Sequence, residues 1–96
     1  MQIQITDRAA KWFQTEMQVQ EGDYIRFYVR YGGSSPIQAG FSLGVNREEP
    51  FDIGVLHKQN GINYYIEEKD IWYFDEYNLH VDYDDQSDGP LYDYKK

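Results

Sequence analysis

The hydrophobic period of this chain changes near Gly22, and that change restricts the fold more than any other feature. Ahead of it Ala9, Ala10, Phe13 and Met17 recur at three-, four- and seven-residue spacings among Arg8, Lys11, Gln14 and Gln18, with Thr6 or Asp7 placed as a cap. That spacing predicts an amphipathic helix over residues 7–18. From Tyr24 the period is two: Ile25, Phe27, Val29 and Tyr31 alternate with Arg26, Tyr28 and Arg30, as in a half-buried strand. Phe41, Leu43 and Val45 repeat the alternation, and Asn46 to Asp52, with Pro50 inside, reads as a connecting turn. Asn60-Gly61 suits a type I′ turn, whose two central residues both need positive φ. The flanking runs, Ile53 to Gln59 and Ile62 to Ile66, are therefore expected to pair as a hairpin.

Farther along, Ile71, Trp72 and Phe74 sit at helix-compatible spacing within Glu67 to Tyr77, and Leu79 to Tyr83 alternate once more. A short second helix and another strand follow. Strands outnumber helices, and no regular strand-helix-strand order calls for a doubly wound parallel sheet, so the class is α+β, mainly β. The length fits one small domain, read as residues 1–84, followed by an acidic, Tyr-containing tail over 85–96 expected to be mobile until it meets something.

Charge and composition narrow the partners. Of the net -8, residues 1–66 hold seven acids and six bases, whereas residues 67–96 hold ten acids and three bases. Such a field repels nucleic-acid phosphates and anionic lipid headgroups, so a protein partner with a basic surface, or a cation, is the expected complement. Ten Tyr among an 18% aromatic share supply bulk for a small core. No stretch approaches the ~20 apolar residues that cross a bilayer, and Met1 leads directly into a polar strand, which points to a cytoplasmic protein. The absence of cysteine excludes disulfides, thiolate-held metals and cysteine nucleophiles.

Several pieces in order resemble the HesB-like family, which includes the A-type iron-sulfur carriers. Ile5-Thr6-Asp7 with Ala9-Ala10 is similar to its opening helix. Arg26 to Gly33 is similar to its central strand running into a Gly-Gly pair, and Gly40-Phe41-Ser42-Leu43 to its next strand; Asn60-Gly61 to Ile66 and Leu79 to Tyr83 follow in sequence. The resemblance covers residues 3–83 and implies a compact sandwich or flattened barrel of mixed strands with helices outside. In the carriers a cysteine follows the Gly-Gly pair and two more form a C-terminal Cys-Gly-Cys. Here Ser34 follows Gly32-Gly33, and the chain ends Tyr92-Asp93-Tyr94-Lys95-Lys96. A serine hydroxyl stays protonated near neutral pH and is a poor substitute for thiolate on iron, so the carrier activity is not expected to transfer.

The remaining candidates are read from the residues alone. Gly32, Gly33 and Ser34 form either a tight strand-to-strand loop or, with Arg30 near, a backbone cradle for an anion. Ser34 lacks the Gly-x-Ser-x-Gly frame of a nucleophile. His80, Asp82 and Asp84 share one face of their strand if the alternation holds, which gives either a hard-metal donor set or an ordinary solvated face. The acidic run after Asp84 fails as a calcium loop, because Gln86 takes the third position and Lys95 the twelfth. His57 has no second ligand at metal spacing. Trp72, Tyr92 and Tyr94 lie beside the acids and are the expected partner contacts. Together these readings describe a non-enzymatic interaction or regulatory module without a cofactor, with a homo-oligomer left open and a hard-metal accessory protein as the alternative.

Overall fold

A computed structural model describes all residues, 1–96. The elements run β1 (Ile3–Ile5), α1 (Asp7–Glu16), β2 (Tyr24–Ser34), β3 (Ala39–Arg47), β4 (Ile53–Gln59), β5 (Ile62–Glu67), a 3-10 helix (Glu68–Phe74), β6 (Asn78–Asp84) and β7 (Gly89–Lys95). They form two sheets, a four-stranded one in the order β3-β2-β5-β4 and a three-stranded one in the order β1-β6-β7. Each sheet mixes parallel and antiparallel pairs: β2 runs parallel to β5, and β1 parallel to β6. The α+β, mainly β class is therefore correct, and the layers form a sandwich that does not close into a barrel.

Local chemistry accounts for most boundaries. Thr6 caps α1, its hydroxyl accepting from the Ala9 N–H at 3.2 Å, and the helix buries Ala9, Ala10 and Phe13 against the sheets. The β4–β5 hairpin turns at Asn60 (φ 54°) and Gly61 (φ 79°), both left-handed as the Asn-Gly pair requires. Phe13 sits at the centre of the core, edge-on to Phe27 and Tyr64 at 5.8 Å each, with Ile25, Ile62, Ile66, Leu79 and Val81 also buried. No helix is long and apolar enough to cross a membrane.

Most of the segment expected to be a mobile tail, residues 85–96, is instead an edge strand, Gly89–Lys95, reached through a turn over residues 85–88. Pro90 to Lys95 pair antiparallel with β6, Leu79 opposite Tyr94 and Val81 opposite Tyr92. Its acids concealed a period of two: Leu91, Asp93 and Lys95 face out, while Tyr92 and Tyr94 pack on the core. Tyr92 meets Phe27 edge-on at 6.0 Å, and the Tyr94 and Tyr73 hydroxyls share a hydrogen bond at 2.9 Å.

The 3-10 helix takes over where β5 stops. β2 pairs with β5 only over Tyr24, Ile25 and Arg26. Beyond that point the Asp70 carboxylate accepts the Val29 N–H at 3.3 Å and an Arg26 guanidinium N–H at 3.1 Å. Glu48 takes the other arm of Arg26 at 2.8 Å. An acid thus satisfies a strand N–H that has no neighbouring strand.

Candidate functional site

The Gly-Ser loop is shaped by its glycines. Gly32 (φ 113°) and Gly33 (φ 71°) carry the left-handed backbone that lets β2 bulge between Tyr31 and Ser34. A side chain on Gly33 would come within 3.0 Å of the Ser42 hydroxyl, which donates to the Gly32 carbonyl at 3.1 Å. Ser35 closes the loop, its hydroxyl accepting the Gln38 N–H at 3.1 Å. Arg30 does not serve this loop: its side chain lies with Tyr28 over Gly44 on the outer face of the sheet.

Across the loop stands β7. Ser34, Ser35 and Ser42 face Leu91, Tyr92 and Tyr94 over a cavity of about 260 Å³ at the seam between the two sheets. The donors offered there are serine hydroxyls and phenols. Burial raises the pKa of Tyr92, and burial with the hydrogen bond to Tyr73 raises that of Tyr94, so both phenols stay neutral well above physiological pH. An iron-sulfur cluster needs anionic sulfur, and this site presents neutral oxygen in a chain without a thiol. The residues present do not fit a cluster.

The other predicted sites separate. His80 and Asp82 line one shallow cavity of about 290 Å³ with Asp93, which lies opposite His80 in the register. Asp82 is already engaged: its carboxylate accepts from the Tyr83 N–H at 2.7 Å, the Thr6 hydroxyl at 2.8 Å and Arg8 at 3.2 Å, which together lower its pKa. Asp84, the last residue of β6, is engaged by the following turn, accepting from the Gln86 N–H and the Ser87 hydroxyl. No group of three or more His, Cys, Asp or Glu is gathered as a metal shell. His57 bonds Gln59 at 2.7 Å. The predicted contacts also part: Trp72 is 52% exposed, whereas Tyr92 and Tyr94 are half-buried on the core.

Trp72 has neighbours that the sequence did not assign to a surface. Phe41 meets Trp72 edge-on at 5.2 Å and Tyr31 at 5.6 Å, and Tyr31 is 92% exposed. Both belong to the inward phase of their strands. They are uncovered because β2 and β3 run on past the end of β5, where the 3-10 helix supplies only Trp72 as a neighbouring ring.

Residues 1–91 match the family described as "Iron-sulphur cluster biosynthesis". The chain belongs to that family. Within this iron-sulphur cluster biosynthesis family it is a member without cysteine. It is 43% identical over 95 residues to a protein of Bacillus subtilis named "Pyruvate dehydrogenase inhibitor", the match covering 99% of this chain and 100% of that one. An uncharacterised protein of Staphylococcus saprophyticus is 38% identical over 96% of this chain and 97% of its own length. One from Staphylococcus aureus is 38% identical over 99% and 100%.

Proposed function

We propose that this chain is a non-catalytic, cytoplasmic regulatory domain that acts by binding a protein, and that its target is a pyruvate dehydrogenase. The observation that carries the reading is the chemistry of the seam. The fold and the Gly-Gly loop of the family are kept, while the loop carries Ser34 and faces a strand of neutral tyrosines. A scaffold whose donor set cannot hold a cluster is left with its surface. The name of the Bacillus subtilis relative supplies the target, since that protein matches this chain at 43% identity over nearly the whole length of both.

The test is a titration of pyruvate dehydrogenase complex purified from Bacillus subtilis with the purified protein, following pyruvate-dependent NADH formation. Activity is expected to fall saturably to a plateau set by binding, with no consumption of the added protein. A complex that keeps full activity under a large molar excess sinks this reading.

A further inference from the structure

We infer that the Tyr31–Phe41–Trp72 surface is the docking site, and that its occupant is a segment of the protein partner carrying arginine beside an apolar side chain. The inference rests on the proposed regulatory reading for its target, but its own evidence is geometric. Three rings stand edge to face at one end of the sandwich, two of them mostly open to solvent. The patch is tied to the interior, since Trp72 touches the buried Tyr73 at 6.3 Å and Tyr73 in turn packs on Tyr94 at 5.9 Å. Rings held in this way lose little freedom on binding, so their contact area converts efficiently into affinity.

Charge selects the occupant. Asp75 and Glu76, three and four residues beyond Trp72, are exposed acids at the exit of the 3-10 helix. Of the nearby cations, Arg30 lies on the opposite face of the sheet, and the exposed Lys69, three residues before Trp72, is outnumbered by the exposed Glu68, Asp75 and Glu76. An arginine guanidinium stacks on an indole face and pairs with a carboxylate in the same pose, which neither an acidic nor a purely apolar segment can do. The net charge of -8 works in the same direction.

The experiment uses the full chain carrying Trp12→Phe, which leaves Trp72 as the sole indole; the Trp12 Nε1 is buried without a partner, so no hydrogen bond is lost. A Leu-Arg-Leu-Arg peptide should shift Trp72 emission saturably, and a Leu-Glu-Leu-Glu peptide should not. Asp75→Lys with Glu76→Lys should weaken the arginine peptide about tenfold, the size expected when an interface contact is removed. Silence of Trp72, an equal response to both peptides, or unchanged affinity in the charge-reversed variant would each overturn the inference. Trp72→Ala, at a half-exposed position, should also raise the concentration needed to inhibit pyruvate dehydrogenase about tenfold. If the wild type inhibits and Trp72→Ala inhibits equally well, the docking surface is wrong and the regulatory reading stands. If the wild type does not inhibit but Trp72 responds to the arginine peptide, the regulatory reading is wrong and the surface stands.

Discussion

Truncation after Asp88 leaves a chain that does not fold. The deletion removes β7, the only antiparallel partner of β6, and leaves β6 paired with the three residues of β1. It also takes away Tyr92 from Phe27 and Tyr94 from Tyr73 and Phe74. A fully buried aromatic side chain is worth about 3–5 kcal/mol, and losing two partly buried rings together with the whole β6–β7 ladder consumes most of the roughly 5–15 kcal/mol that holds a domain together. The expected result is loss of amide dispersion in the proton-nitrogen spectrum and of the cooperative melt. A truncated chain that still melts cooperatively near the wild-type midpoint would show that β7 is dispensable.

Asp70→Ala should destabilise the fold by about 3 kcal/mol. Asp70 is 8% exposed and serves two donors, the Arg26 guanidinium and the Val29 N–H. Without it a mostly buried arginine keeps only Glu48, and its Nε already has no partner. The Val29 N–H is orphaned as well, since β5 does not extend that far. At roughly 4–8 °C per kcal/mol for a domain of this size, the midpoint should drop by at least about 12 °C. Asp70→Asn keeps an acceptor for Val29 and should recover part of the loss. Glu48→Ala, at a 40% exposed side chain, should cost no more than about 1 kcal/mol. A drop of only a few degrees for Asp70→Ala would mean that Arg26 relaxes into solvent.

The elements that depend on neighbours in sequence could be read before the structure. Phe13 on its helical spacing, the alternation of β2 and the Asn60-Gly61 turn all follow from local periodicity, and the structure contains them. The elements that depend on distant partners could not. Arg26 and Asp70 meet across 44 residues, and nothing in either segment announces the pair. The same holds for Asp82, whose ligand-like carboxylate is occupied by Thr6 and Arg8 at the start of α1. Strand β7 is a different failure. The alternation of Tyr92 and Tyr94 is there, but the five acids from Asp82 to Asp93, both included, give the segment the composition of a solvated one. Tyr31 and Phe41 share the alternation of Phe27 and Leu43, and only the length of β5 shows that the interior does not reach them.

The central claim is that this chain keeps the family scaffold without its cluster chemistry. The most direct measurement is iron and sulfide content, with the visible spectrum, after anaerobic reconstitution of the purified protein with ferrous iron and sulfide. With Ser34 in the loop and neutral Tyr92 and Tyr94 opposite, the protein should emerge colourless, with neither iron nor sulfide in stoichiometric amount. Stoichiometric iron and sulfide with charge-transfer absorption would contradict the account.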